Sequence, residues 1–360
     1  MQNLNTVSID EVTNDILVGG ALNTILVEGH MGTGKSSILK VLAEKLPNHT
    51  PCYFDATTKD IGDLMIPKFK DLDGQDYVTY ATNEELGIHT GKPIICMVDE
   101  FGKANPSVRN GLLCFLQERK MGGKTLHPDS IVFATTNLGA EGVGDILMPH
   151  QCNRLTIKTM RKPDAQEWIE WALNNEVDHS LLSWVRETPQ CMQSFEEVSD
   201  PQENPYIFHP REIRRSFVTP RSLVSASNWL KLRHLVSENS LQSSIAGCIG
   251  ARAAADMMAY VRLADQMPKL DDIKKNPLAA PVPKSPAAVC MVVYRSLSTL
   301  THDWVNAWVD YVERLEPEAQ AMFANAARAA KYNKRDIVLS NKKFGTWARN
   351  NAHLFTADQV

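Results

Sequence analysis

The sequence predicts an α/β fold: a parallel sheet of five strands flanked by helices, followed by a wholly helical region. Three observations carry this. Residues 24–46 read as a buried strand, a glycine-rich turn and a helix. Four further short runs, 51–55, 93–98, 131–137 and 154–157, read as strands set between helical patterns. From residue 163 onward, apolar residues recur mainly at helical spacing, with proline-rich breaks.

The first of these stretches organises the rest. Ile25, Leu26 and Val27 are enough for one buried strand. The chain then turns through Gly29, His30, Met31, Gly32, Thr33, Gly34, Lys35 and Ser36, and Ile38, Leu39, Leu42 and Leu46 follow at helical spacing. This is the pattern G-x-x-x-x-G-K-[ST] with a strand before it and a helix after it. Its glycines let successive backbone N–H groups point into one concavity, and the helix start adds partial positive charge there. Lys35 is placed to neutralise β- and γ-phosphates and the Ser36 hydroxyl to reach Mg²⁺; Ser37 completes the phosphate-binding candidates. The plain alternative is a glycine-rich turn that binds nothing.

At 360 residues the chain is long enough for two or three units. A formal net charge of −4 argues against a general nucleic-acid binder, though not against a local basic patch. The seven cysteines form no C-x-x-C pair and read as reduced core thiols, Cys96, Cys114 and Cys248 among them. No apolar stretch approaches 18 residues, and the N-terminus has no basic-then-apolar signal. The expectation is a soluble cytoplasmic protein without membrane insertion.

Ser8 and Glu11 fit a capping box ahead of Val12, Ile16 and Leu17. Residues 56–64 read as helical. Around Asp73-Gly74, residues 66–80 read as a β-hairpin carrying Phe69, Tyr77 and Tyr80. The apolar run 93–98 ends in Asp99 and Glu100. Carboxylates at the C-terminal end of a parallel strand lie where ligands bind. Asp99 is placed to hold the magnesium shell and Glu100 to polarise a water. Residues 106–118 form an amphipathic helix, 119–126 a small hairpin around Gly122-Gly123, and 131–137 a buried strand ending in Asn137. That Asn either orients a water near a γ-phosphate or simply opens the next turn.

Residues 139–144 read as a glycine-rich loop, and Arg154 stands at the start of the fifth strand. Trp168, Trp171 and Trp184 are packing anchors of helices at 163–173 and 180–185; residues 190–212 are a long loop. Thr219-Pro220-Arg221 is a helix start with Thr as N-cap. Arg221 in a first turn opposes the helix dipole, which points either to a nearby anion or to a solvated Arg. Residues 247–263 read as one helix rich in small residues, and 267–288 as a proline-rich linker. Trp304, Trp308, Tyr311, Phe323, Phe344 and Trp347 read as helical core.

Together these residues resemble an AAA+ ATPase, most closely the MoxR-like, dynein-related branch. The resemblance covers roughly residues 5–265. It rests on the Walker A set (Gly29, Gly34, Lys35, Ser36) and the Walker B pair (Asp99, Glu100). Asn137 stands at the sensor 1 place, Arg154 at the arginine-finger place and Arg221 at the sensor 2 place. The hairpins at 66–80 and 119–126 match the helix-2 insert and the pre-sensor-1 hairpin. The usual Asp-Arg-Phe reads Asn153-Arg154-Leu155 here, which leaves Arg161 as an alternative finger. Phe101 to Asn105 departs from the usual sequence after Walker B. The region after 270 is similar in style to bacteriophage ATPases.

The resemblance implies an AAA+ core at 1–160, a helical lid at 161–268 and a helical extension at 269–360. It implies a homo-oligomeric ring, usually a hexamer, that hydrolyses ATP with Mg²⁺ to remodel a protein partner. A partner with a von Willebrand factor A domain is one option. Asn137 would sense the γ-phosphate, Arg154 would act on the neighbouring subunit's ATP, and Arg221 would couple hydrolysis to the lid. The alternatives are a nucleic-acid motor or helicase loader, with Lys68, Lys70, Lys120 and Lys124 on its hairpins, and a nucleotide-gated scaffold with little turnover. A small-molecule kinase lacks an evident acceptor site.

Overall fold

The computed structural model describes residues 6–139, 147–264 and 267–355. Beyond Gly139, the glycine-rich loop expected at 139–144 lies outside the described residues. The chain divides into two compact units, Met1–Lys162 and Pro163–Val360.

The first unit runs β1 (Thr6–Val7), α1 (Ile9–Gly19), β2 (Ile25–Gly29), α2 (Ser37–Lys45), β3 (Thr50–Asp55) and α3 (Ile61–Leu64). Then come β4 (Met65–Leu72), β5 (Gln75–Thr82), β6 (Ile94–Asp99), α4 (Pro106–Glu118), β7 (Lys120–Met121), β8 (Lys124–Thr125), β9 (Ile131–Asn137), α5 (Pro149–Cys152) and β10 (Thr156–Met160). Six strands form one parallel sheet in the order β1-β10-β2-β9-β6-β3. The sequence indicated five. The sixth is β1, in which Thr6 and Val7 pair with Thr159 and Met160; two residues are too few to show a strand period.

Alternate strand residues feed two cores, as the pleat requires. Leu26, Cys96, Val98, Val132 and Ala134 pack with Val108, Leu112 and Leu116 of α4. Ile25, Val27, Ile95, Met97, Ile131 and Phe133 pack with Val12 and Ile16 of α1 and with Ile38 and Leu42 of α2. The sheet is thus a middle layer between α4 and the α1–α2 pair. Ser8 caps α1 through the reciprocal bond with Glu11.

Both hairpins form. Asp73 (φ 53°) and Gly74 (φ 79°) turn β4 into β5, the left-handed pair that a two-residue hairpin prefers. Residues 56–64 do not make one helix. The Asp55 side chain caps a 3₁₀ turn at Ala56–Thr58, and α3 follows as a single short turn. Cys114 is exposed, on the outer side of α4 from Leu112, Leu113 and Leu116.

The second unit contains α6 (Ala165–Leu173), α7 (His179–Glu187), α8 (Pro220–Lys231), α9 (Glu238–Ile249), α10 (Ala251–Ala264), α11 (Leu270–Lys275), α12 (Pro286–Thr299), α13 (Val305–Val312), α14 (Pro317–Arg328), α15 (Arg335–Leu339) and α16 (Lys342–Asn350). One hydrophobic core runs through it from Trp168 to Leu354. The division drawn at residue 269 therefore does not fall between compact units. The proline-rich stretch holds α11, and Ile273 and Ala280 are buried in the common core.

The helix read at 247–263 is two helices. Gly250 adopts φ 93° and ψ 153°, a region that only glycine enters readily, and a Cβ there would lie 2.8 Å from the Ser216 carbonyl oxygen. Trp168 and Trp184 are buried anchors, but Trp171 is exposed, off the stripe of Trp168, Ile169, Ala172 and Leu173. No helix among the described residues is long and apolar enough to cross a membrane.

Candidate functional site

The parallel register lines up one edge of the sheet. Gly29 pairs with Asn137 and with Met160, and Asp55 pairs with Asp99. The ends of β2, β9, β6 and β3 thus meet at the C-terminal edge, where α/β sheets bind ligands. Side-chain parity then selects the face. Tyr53, Asp99, Thr135 and Asn137 alternate with residues of the α4 core, so they share the side on which α2 packs. The turn from β2 into α2 lies on that side.

That turn has positive φ at Gly32 (71°) and Gly34 (103°). Thr33 Oγ1 donates to the His30 carbonyl at 2.8 Å and Ser37 Oγ to the Gly34 carbonyl at 2.7 Å, which stiffens the curl. Lys35 is only 7% exposed. Its ammonium donates to the carbonyls of Gly29 (2.7 Å) and His30 (2.9 Å) and to Asn137 Oδ1 (2.7 Å). An incoming phosphate oxygen would compete for protons already held by three acceptors.

Asn137 is a bridge. Its amide nitrogen donates to both carboxylate oxygens of Glu100, at 3.1 and 3.2 Å. Lys103 forms an ion pair with the same carboxylate at 2.9 Å. Glu100 itself has φ 53°, a left-handed conformation that costs a non-glycine residue about 1–3 kcal/mol. Its backbone N–H is fixed by Asp99 Oδ1 (3.1 Å) and Thr135 Oγ1 (3.3 Å). Arg109, buried on α4, donates to the Gly102 carbonyl at 3.4 Å and ties the following turn to the helix.

Asp99 is 8% exposed. Thr135 Oγ1 donates to its Oδ1, Tyr53 donates to its Oδ2 at 2.9 Å, and Ser36 Oγ lies 3.4 Å from Oδ2. Burial raises the Tyr53 phenol well above its usual pKa, and the hydrogen bond to Asp99 and the charges of Asp99, Asp55 and Glu100 add to this, so it stays a proton donor. The hydroxyl of Ser36 and Oδ2 of Asp99 are hard oxygen donors set side by side. They fit a magnesium ion, which would take its other ligands from phosphate and water. No cluster of three or more His, Cys, Asp or Glu among the described residues forms a metal site by itself.

The structure therefore brings Lys35, Ser36, Asp99, Glu100 and Asn137 together. It does not bring Arg154 to them. Arg154 is exposed, precedes β10 and lines a shallow recess with His150 and the outer side of α4. It sits in the turn before β10, and the five extended residues of that strand, about 15 Å, run from there to the edge that carries Gly29. Arg161, by contrast, directly follows Met160, the partner of Gly29, and its N–H donates to the Val7 carbonyl at 2.9 Å. Arg221 belongs to the second unit. It is exposed in the first turn of α8, whose N-cap Thr219 accepts from the Ser222 N–H at 3.0 Å.

Tyr53, Thr135 and Lys103 were not anticipated. The signal for two of them was parity, Tyr53 lying two residues before Asp55 and Thr135 two before Asn137; Lys103 follows Glu100 by three, one turn of the 3₁₀ segment Phe101–Lys103. Parity points to a site only once the neighbouring strand is known.

No protein-family model matches the chain, and no curated protein matches its sequence. Among solved structures it is similar to a candidate ATPase from Cytophaga hutchinsonii, at 16% identity over 71% of this chain and 90% of that one, with a TM-score of 0.34. It is also similar to the Thermotoga maritima RuvB Holliday junction branch migration motor, at 14% identity over 82% of this chain and 85% of that one, with a TM-score of 0.37. Both scores lie below 0.5; the fold described above rests on the strand order of this chain itself.

Proposed function

We propose that this chain is a magnesium-dependent AAA+ ATPase of the MoxR-like branch. One observation carries the reading. Lys35, Asn137 and Glu100 form a continuous hydrogen-bonded line beside the Ser36–Asp99 pair, on the side of the sheet edge where the glycine-rich turn curls. An ATP in the turn would place its γ-phosphate at Lys35. Asn137 would then exchange its bond to Lys35 for one to phosphate, and the Glu100 carboxylate would accept a proton from the attacking water. Magnesium, held by Ser36 with Asp99 beside it, supplies charge neutralisation at the phosphate oxygens.

The position of Arg154, at the opposite edge from Lys35, supports a role on a neighbouring subunit's ATP and hence a homo-oligomeric ring, usually a hexamer in proteins of this kind. Arg161 is the candidate for a role within the same subunit. Arg221 is assigned the coupling of nucleotide state to the helical unit. In this reading the work done is remodelling of a protein partner, one with a von Willebrand factor A domain being an option. A second reading, a nucleic-acid motor, is favoured by one feature: Lys68, Lys70, Tyr77 and Thr79 share one face of the β4–β5 hairpin, while Asp71 and Asp76 lie on the other. ATPase stimulation by DNA that falls steeply with salt would select it.

The decisive experiment is Glu100→Gln. It should bind ATP as the native chain does and lose about 10²–10⁴-fold in turnover, the usual worth of a general base. Unchanged hydrolysis would remove Glu100 from the water-positioning role.

A further inference from the structure

Asp99 offers two carboxylate oxygens, each with about two lone-pair sites. Those of Oδ1 are taken from within the sheet, by the Thr135 hydroxyl and the Glu100 backbone N–H. Oδ2 is the oxygen that faces the glycine-rich turn, with Ser36 Oγ 3.4 Å away. A separation of 3.4 Å is a weak hold, whereas the Tyr53 hydroxyl at 2.9 Å is a full hydrogen bond. Tyr53 is therefore the described donor that holds Oδ2 at full hydrogen-bond distance. Without it the carboxylate would be held firmly through Oδ1 alone and could pivot about it.

Tyr53 comes from β3, the edge strand next to β6, and it points to the same face as Asp99 because Tyr53 pairs with Met97, two residues before it. Tyr53 is 47% exposed, so the fold does not depend on burying it. A half-exposed tyrosine whose hydroxyl is fixed to a nearly buried carboxylate is a support for that carboxylate.

We propose that Tyr53 is a positioning residue for Asp99: its hydroxyl occupies one lone pair of Oδ2 and aims the other at the cation site beside Ser36, so that it sets how much magnesium strengthens nucleotide binding. The inference rests on the nucleotide reading above and extends it to a residue outside the glycine-rich turn and the acidic pair. Partners one shell out from a metal commonly govern about 10–100-fold in its affinity.

The test is Tyr53→Phe, which removes one oxygen and keeps the ring. The affinity for a fluorescent ATP analogue is measured with saturating magnesium and again with EDTA, and the ratio of the two is the magnesium enhancement. The expected result is an EDTA affinity equal to that of the native chain and an enhancement reduced about tenfold. An unchanged enhancement overturns the proposal, and so does an equal loss with and without magnesium, because that would make Tyr53 a general support of the pocket. A native chain that binds no ATP in either condition overturns the nucleotide reading and this inference with it.

Discussion

In the first unit the buried ammonium of Lys35 has three acceptors and the carboxylate of Asp99 is held on both oxygens. In the second unit the buried indole N–H groups of Trp168, Trp184, Trp308 and Trp347 find no hydrogen-bond partner among the described residues. Their rings pack instead: Trp308 lies 5.6 Å from Tyr311 and 5.7 Å from Phe323, and Phe323 lies 5.8 Å from both Phe344 and Trp347. An unpaired buried donor costs about 1–3 kcal/mol, while burying a large aromatic ring and pairing it with others offsets more than that. The site in the first unit uses directional bonds to hold a few atoms in place, whereas these four tryptophans rely on area; the second unit bonds its core tyrosines directionally too, Tyr311 and Tyr332 donating to the carbonyls of Pro281 and Leu297.

This contrast can be broken most directly at Trp308. Trp308→Ala should destabilise the second unit by about 3–5 kcal/mol, seen as an earlier denaturant midpoint in tryptophan fluorescence. All seven tryptophans lie in residues 163–360, so the signal reports that unit alone. A loss below about 1 kcal/mol would mean that the ring cluster is not what holds the unit together.

A smaller effect is expected at Glu28 on β2, the half-buried carboxyl beside the glycine-rich turn. Burial raises its pKa. A carboxyl raised in the folded state favours folding below its unfolded pKa, and that contribution is lost as pH rises through the folded value. Glu28→Gln should therefore raise the melting temperature of the first unit at pH 7, and the gain should shrink as pH falls below the ordinary carboxylate range. A gain that is the same at pH 4 and pH 7 would show that desolvation of the charge is not its cause.

The smallest effect belongs to the β4–β5 hairpin. Phe69 is 80% exposed there and, with Ile66, Leu72 and Val78, covers no core. Phe69→Ser should shift stability by no more than about 0.5 kcal/mol. A larger loss, measured by thermal melting, would show that the hairpin is part of the packed unit.

Much of this was legible in one dimension. The glycine-rich turn, the acidic pair after β6, the caps at Ser8 and Thr219 and the aromatic stripe from Trp304 to Trp347 are local patterns, set by residues within a few positions of one another. The misreadings also have local causes. Gly250 splits a helix through its backbone angles. Trp171 misses the buried stripe of α6 by the helical turn, although it follows Trp168 by three. Residues 267–288 look like a linker because proline is dense there, yet Ile273 and Ala280 reach the common core.

The amino-acid order alone determined the glycine-rich turn, the carboxylates at the end of β6 and the face parity of each strand, because these depend on backbone period and short-range chemistry. Strand order belongs to the tertiary structure. It inserts β9, late in sequence, between β2 and β6, and sets β3 beside β6. Only that placement lets the Asn137 amide reach both Lys35 and Glu100, and lets Tyr53 and Thr135 hold Asp99 from either side. Hydrogen bonds between residues 36 to 102 positions apart depend on which strands lie side by side, and no periodicity within a single segment encodes that.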